Sequence, residues 1–420
     1  MTTLTLILRQ PAQLGDRARD DFVLTTMDYL PGAVARGALA GAWIAANGEP
    51  TGAGRAEFLR LFEGGVRYGA LLRPGTEADS LAVVRHKYKP DDGCEVVDYD
   101  RAAGDAPPTR CPDCGSPLEP ARPGLFTDNP AETPKTRRRT SVAIGESGVA
   151  RRGQLFTRET LPAGESFTGT LIADDPDDLT LLQKLGQVRV GGRRTTHGLA
   201  DIAIGDQPPP GPQQLDATTL VLRLRTPGVF TDDLGRPRPQ PSDAELTRVL
   251  GTAARVTRRW TRWQEVSGWH VASGLPKPAE LAVAAGSAFI VESEREVAPL
   301  ALERLVRRGV GLRRHEGFGD LAPPPLLRDG RAAKQEKLRH VNRLRDDAAP
   351  LFGVPVRFPA RWPALRTLIT GHAGGQPDAT SRLRQAAAQF PDPGIAQALR
   401  AFLSLPAADA QALAEEIGRL

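Results

Sequence analysis

Hydrophobic and polar positions alternate strictly at two places in the chain. Thr3 to Arg9 reads TLTLILR, and Thr218 to Arg225 reads TTLVLRLR. A period of two is the pattern of a half-buried strand, and each run is followed shortly by a proline, Pro11 and Pro227. Two later stretches resemble each other. Ala163 to Ile202 is AGESFTGTLIADDPDDLTLLQKLGQVRVGGRRTTHGLADI, and Ala285 to Leu321 is AGSAFIVESEREVAPLALERLVRRGVGLRRHEGFGDL. Each opens with Ala-Gly and an apolar strand containing Phe, then passes an acidic turn into an amphipathic helix. Leu179, Leu182 and Leu185 recur at helical spacing in the first, and Leu302, Leu305 and Val306 in the second. Each ends in glycine, an Arg-Arg pair, more glycine and an Asp. The chain therefore contains an internal repeat.

The order strand, helix, strands, helix, strand is the split βαβ pattern. In the first half Pro31 to Asn47 supplies the first helix, its Ala-rich run outweighing Gly37 and Gly41. In the second half Asp243 to Trp263 takes that part, capped by Ser242. Gln207 to Gln214, QPPPGPQQ, reads as a linker. The expected fold class is α+β, with tandem ferredoxin-like (RRM-like) domains. Residues 1–206 form the first domain, with a cysteine-containing insertion at about 89–122. Residues 207–215 are the linker, 216–330 the second domain, and 331–420 a helical extension. Helices are predicted there at Ala332–Arg345, Ala379–Phe390 and Ile395–Leu420. Leu399, Phe402 and Leu403 are expected to pack on the second domain or on a neighbouring subunit.

Composition adds a few constraints. Among 420 residues 40% are hydrophobic and only 5% aromatic, so the cores must be mainly Leu, Val and Ala. No run is long and apolar enough to span a membrane, and the N-terminus lacks a basic n-region, so a cytoplasmic location is expected. Three cysteines argue against a disulfide framework. The net charge of +5 is modest, but many basic residues are adjacent arginines in glycine-rich segments. A GC-rich genome accounts equally well for the bias toward Arg, though not for where the pairs fall.

Two such segments stand at matching places in the repeats. The first holds Gly191, Gly192, Arg193, Arg194, His197 and Gly198; the second holds Gly309, Gly311, Arg313, Arg314, His315, Gly317 and Gly319. Glycine permits close approach and positive φ, and paired arginines supply forks for phosphate and planes for bases. This suits a single-stranded RNA backbone, although such a loop is also an ordinary tight turn. Arg137, Arg138 and Arg139 are a further phosphate-contact candidate or a solvated charge run. Helix-turn-helix, paired zinc-finger and Walker signatures are absent from the sequence.

Cys94, Cys111 and Cys114 lie in the insertion. Cys111-Pro-Asp-Cys114-Gly resembles half of a zinc ribbon, with Asp91 or His86 as the fourth ligand of one structural zinc. The alternative is a decayed ribbon without metal. Asp174, Asp175, Asp177 and Asp178 read as a helix-capping turn. Asp98 and Asp100 are loop carboxylates without a supporting motif. Of Trp260, Trp263 and Trp269, at least two are expected in a core.

The two glycine–arginine loops resemble the glycine-rich signature of the RAMP superfamily of CRISPR proteins. Tyr29-Leu30-Pro31-Gly32-Ala33-Val34-Ala35-Arg36-Gly37-Ala38 is similar to that superfamily's (I/L)PGS-x-x-RG helix start. Gln154-Leu155-Phe156 with Gly164, Phe167 and Gly169, and Gly268-Trp269 with Gly274-Leu275-Pro276-Lys277 and Gly286-Ser287, extend the likeness over roughly residues 1–330. The two-domain layout is similar to type III effector subunits that hold the 5′ handle of the guide RNA, nearest to the subtype III-D, Csx-ten group. The resemblance implies a non-catalytic subunit that binds guide RNA with Arg36 and the two loops. It implies as partners a polymerase-like large subunit and backbone RAMP subunits. Some RAMP relatives process CRISPR precursor RNA with a His, so an endoribonuclease using His197 or His315 is the rival reading.

Overall fold

The computed structural model describes residues 2–15, 23–88, 94, 98–104, 108–127, 136–192, 196–206, 212–270, 275–328 and 348–418. Contacts divide the chain into a larger unit, Met1–Asp91 with Asp98–Arg328, and a smaller one whose bulk is Asp329–Leu420.

In the larger unit the first alternating run becomes the strand Thr2–Leu8, with Leu4, Leu6 and Leu8 buried. It lies in the middle of a five-stranded sheet. The order is Gln187–Arg189, Leu199–Asp206, Thr2–Leu8, Ser166–Ala173, Val66–Tyr68, and every pairing is antiparallel. Numbering the repeat's strands one to four, the inner order is four-one-three-two, the ferredoxin-like arrangement. The helices Gly32–Asn47 and Pro176–Gln183 supply Ala35, Leu39, Trp43 and Leu182 to the same core as those leucines. Asp175 caps the second helix by accepting from the Asp177 N–H. The acidic turn is thus a cap, and Asp178 is fully buried against Arg60.

The second half repeats this order with two changes. Its sheet runs Gln213–Gln214, Thr219–Arg223, Ala288–Ser293, Ala254–Trp260. The fourth strand is reduced to one bridge, Leu224 to Leu321, and the end of the proline-rich segment occupies that sheet edge instead. Gln213 and Gln214 are therefore a strand, while 207–211 lie outside the described residues. The helix expected over Asp243–Trp263 stops at Leu250. Gly251 takes a left-handed φ of 74° there, and Ala254–Trp260 continues as a strand. Ser242 does cap the helix, accepting from the Glu245 N–H.

The second alternating run is also buried on both faces. Val221 packs with Ala82, Ala102 and Ala288 on the side opposite Leu220 and Leu222. Ala82 and Ala102 flank two strands of a small sheet, Val83–His86 between Tyr99–Asp100 and Leu118–Pro120. This sheet covers what the sequence presents as an outer face.

The repeat extends to single backbone hydrogen bonds. Val190 N–H donates to Gly198 O and Val310 N–H to Gly319 O, each at 2.9 Å. Gly198 N–H donates to Pro11 O and Gly319 N–H to Pro227 O, again each at 2.9 Å. In both halves the proline after the first strand is thus stitched to the glycine before the last. Gly198 and Gly319 have φ of 78° and 67°, and a Cβ there would stand 1.9 Å from Val190 O and 1.7 Å from Val310 O. Only glycine fits.

Two hairpins extend from these sheets. The first pairs Arg137–Ile144 with Ala150–Thr160, and the second pairs Trp263–His270 with Leu275–Val283. Neither of the expected core tryptophans with a described side chain is buried. Trp260 is partly buried beside Arg101 and Arg258, and Trp263 is 50% exposed. The side chain of Trp269 lies outside the described residues.

The smaller unit is a helical bundle containing Trp362–Ala373, Pro377–Gln389, Pro393–Leu403 and Ala407–Gly418. The long helix expected from Ile395 to Leu420 is broken near Pro406, which cannot continue the first of the two pieces. Leu399 and Phe402 are buried inside this unit with Leu365, Ile369, Leu383 and Leu413. They serve that unit's own core, against which Leu403 packs partly buried. Ala332–Arg345 lies outside the described residues.

Replacing Gly319 or Gly198 by Ala should cost at least about 2 kcal/mol, because left-handed strain adds to collision with a carbonyl. Gly235→Ala, at φ 76° in open space, should cost only about 1 kcal/mol. Denaturant unfolding of the three variants checks this ranking.

Candidate functional site

The helix start Pro31–Arg36 and the second glycine loop come together. A Cβ on Gly32 would meet Tyr68 O at 1.9 Å and Glu316 O at 3.0 Å, and one on Gly317 would meet Tyr68 O at 2.3 Å. The backbones approach so closely that side chains are excluded at both positions. The junction is locked by Arg67. Its guanidinium donates to Val306 O at 3.2 Å, Arg307 O at 2.6 Å and the Asp320 carboxylate at 2.6 Å. Thr170 donates to the other Asp320 oxygen at 3.0 Å, so one buried carboxylate joins a strand of the first sheet to the second loop.

Around this junction lies a compact set of charges. Arg36 donates to Phe62 O at 2.7 Å and pairs with Glu63 at 3.2 Å. Arg313, the one described non-glycine residue with positive φ (54°), reaches Glu280 and forks onto Glu316. Its guanidinium also lies 4.5 Å from the centre of the Phe318 ring. Lys277 donates to Glu316 at 2.9 Å, and Arg314 stands 3.5 Å from Glu245. Burial raises the Glu316 carboxyl, but hydrogen bonds and charge from Arg313 and Lys277 outweigh it and hold the group at about 2. Burial, with the nearby charge of Arg36, pushes the His315 imidazole down, so it is neutral at pH 7. The arginines read from sequence as phosphate forks are therefore half-buried and matched by carboxylates.

The first glycine loop is elsewhere. Gly191 has φ 74° and packs against Gln13 O, to which Gly192 N–H donates at 3.0 Å. His197 accepts or donates to Thr196 at 2.8 Å, while Arg193 and Arg194 lie outside the described residues. Gly309 and Gly311 also have positive φ and are pressed against Arg67 and Val229 O, respectively. Gly191, Gly198, Gly309, Gly311, Gly317 and Gly319 are thus demanded by packing, whereas a side chain at Gly192 would meet open space.

The first hairpin displays exposed positive charge, as does the stretch 254–262 with exposed Arg255, Arg258, Arg259 and Arg262. Residues 137–160 contain six arginines against two glutamates, a net +4 in a chain of net +5. Arg137, Arg138, Arg139, Arg151 and Arg152 are exposed, with Arg138 also reaching Glu159 at 2.6 Å. Leu155, Ile144 and Val149 are more than half exposed on the same ribbon. The run Arg137 to Arg139 stands out in the sequence, but Arg151, Arg152 and Lys277 do not enter the expected site. The signals for them are a further adjacent arginine pair and the GLPK run.

The loop carboxylates Asp98 and Asp100 are held in buried ion pairs, Asp98 with Arg85 and Arg328 and Asp100 with Arg223. Both carboxylates are buried in these pairs, which hold the small sheet to its neighbours. In the insertion the ligand atoms of His86, Cys94, Cys111 and Cys114 all lie within 4.8 Å of one another, a set able to hold a metal ion. His86 takes the fourth place, and Asp91 lies outside the described residues.

A ferredoxin-like unit repeated with its glycine corners, and a proline–glycine helix start docked on the second corner, are the features by which this chain is similar to RAMP-type CRISPR-associated proteins. Residues 125–322, just under half of the chain, match the family model of the CRISPR-associated protein Cas_Cmr3. That stretch contains both hairpins and both glycine loops. Solved structures that the chain matches include a chain of the type III-B Cmr-beta complex bound to cognate target RNA and AMPPnP. It has 11% identity and a TM-score of 0.40 over 69% of this chain and 86% of that one. Others are a chain of a type III-A Csm3–Csm4 subcomplex, at 10% identity and TM-score 0.33 over 71% and 94%, and a Cas6 protein, at 10% and 0.33 over 77% and 98%. No curated protein matches the chain.

Removing one partner of the buried pair, as in Arg67→Met or Asp320→Asn, should destabilise the larger unit by about 3–5 kcal/mol. Unfolding by chemical denaturant measures this. The Glu316 pairing contributes fully above the ordinary carboxylate value of 4.5, and its contribution should vanish as pH falls toward about 2. Glu316→Gln should therefore narrow the stability gap to wild type across that window, read from melting temperature against pH.

Proposed function

We propose that this chain is a non-catalytic, guide-RNA-binding subunit of a type III CRISPR ribonucleoprotein, contacting its 5′ handle and docking on a polymerase-like large subunit and backbone RAMP subunits in the cytoplasm. The observation that carries the reading is the hairpin 137–160. It is a two-stranded ribbon, exposed on both faces for most of its length, with six arginines against two glutamates, inside the stretch that matches the family model. A ribbon of this kind gains little from its own packing, and its arginines are placed to meet phosphates. Exposed Leu155, Ile144 and Val149 add apolar contacts for bases or for a neighbouring subunit.

The junction of Arg36, Arg313 and His315 then has a supporting role. It fixes the second corner rigidly, while its outward residues Arg314 and His315, each about one-third exposed, remain in reach of the RNA. In this reading the two loop histidines serve binding and local structure, His315 beside Glu316 and His197 beside Thr196. Any metal taken by the insertion is structural zinc, without a step of chemistry on RNA.

Binding of repeat-derived RNA by the purified protein tests the proposal. Replacing Arg137, Arg139, Arg151 and Arg152 together by Ala should weaken binding at least tenfold at physiological salt. It should also flatten the dependence of log affinity on log salt by about 0.7 for each phosphate that is no longer neutralised. Unchanged affinity and slope would sink the assignment to the hairpin. Cleavage of the RNA that disappears in His315→Ala or His197→Ala would replace it with the nuclease reading.

A further inference from the structure

We propose that the insertion is a zinc-binding module, with His86, Cys94, Cys111 and Cys114 as the four ligands of one structural zinc ion. The inference is independent of the RNA reading. All three cysteines of the chain and one of its six histidines converge, their ligand atoms within 4.8 Å of one another. Cysteines acting only as small apolar residues have no reason to gather around an imidazole.

The local backbone is built for this. Gly115 N–H donates to Cys111 O at 2.9 Å, and Cys111 N–H donates to Ser116 O at 2.8 Å. Gly115 supplies the left-handed φ of 68° that turns the chain after Cys114. Both thiols of Cys111-Pro-Asp-Cys114 are thereby presented from one tight turn. His86 ends the strand Val83–His86, whose partner across the ladder is Leu118, just past that turn. The ladder fixes the imidazole beside the turn, and His86 Nε2 lies 3.5 Å from Cys114 Sγ. Ligand bonds of about 2.3 Å for sulfur and 2.0–2.1 Å for nitrogen place neighbouring ligand atoms of a tetrahedron about 3.6–3.8 Å apart. The observed spread needs only a small contraction.

Three thiolates and one neutral imidazole in a tetrahedron favour zinc over harder, six-coordinate cations. All four positions are filled by protein, so no water is activated. The ion's work is mechanical. It secures the small sheet whose Asp100 forms the buried pair with Arg223 of the second ferredoxin-like repeat. Metal loss should therefore be felt away from the cysteines.

The full-length protein, expressed with supplemented zinc and dialysed, should contain one equivalent of zinc by elemental analysis. Cys111→Ser, Cys114→Ser, Cys94→Ser and His86→Ala should each reduce it at least fivefold. Replacing zinc by cobalt(II) in the wild-type chain should give the intense visible bands of a tetrahedral thiolate site, together with sulfur-to-cobalt charge transfer. That measurement stands even where a variant fails to fold. Chelation should lower the melting temperature of the wild type, and zinc should restore it. Zinc content below a tenth of an equivalent with no tetrahedral cobalt spectrum would overturn the proposal. Full zinc retention in His86→Ala would overturn the ligand set.

Discussion

The larger unit depends on one buried ion pair. Arg67 stands on the edge strand of the first sheet and Asp320 at the end of the second glycine loop, 253 residues apart, and both side chains are less than a tenth exposed. Alone, such a pair barely repays its desolvation. Here the guanidinium also closes the end of a helix by taking Val306 O and Arg307 O, and the carboxylate also takes Thr170. Only one alignment of the two repeats makes all of these hydrogen bonds together. The close backbone contacts of Gly32 and Gly317 follow from that alignment.

A second set of buried arginines continues the theme. Arg85, Arg223 and Arg225 meet Asp98, Asp100 and Glu77; Arg223–Asp100 ties the inserted small sheet to the second repeat, and Arg225–Glu77 ties the strand Thr76–Ala78 to it. In a chain with few aromatic residues, large apolar side chains are scarce at these joints. Arginine's long stem and planar fork fill the space, and the matching carboxylates keep the net charge low. The modest +5 thus conceals two populations, arginines consumed inside the molecule and arginines displayed on its surface, the first hairpin among them.

Much of the fold is legible in the sequence because it is local. Period-two runs mark Thr2–Leu8 and Thr219–Arg223, and the repeated glycine-to-glycine segments mark the two corners. What is not legible depends on contacts distant in sequence. The outer face of Thr219–Arg223 is covered by Ala82 and Ala102, which no pattern within the strand announces. The run from Ala254 to Trp260 reads as a continuation of the preceding helix because its arginines obscure the alternation, although Gly251 marks the stop. The site follows the same rule. The adjacent arginines of the second loop are conspicuous, but their carboxylate partners Glu245 and Glu280 lie 69 and 33 residues away. The cysteine pair is plain at once, whereas the approach of His86 to it requires the ladder that brings His86 to the turn.

The first hairpin carries a further consequence through its free edge. The strand Arg137–Ile144 is the outermost of its small sheet, with Ala150–Thr160 between it and Val23–Leu24. An outer strand flanked by exposed Val142 and Ile144 offers its outward amides and carbonyls to any chain able to extend the ladder. Another copy added in parallel register would bring Arg137, Arg138 and Arg139 against their own kind, so like charge disfavours that mode of self-association at this edge.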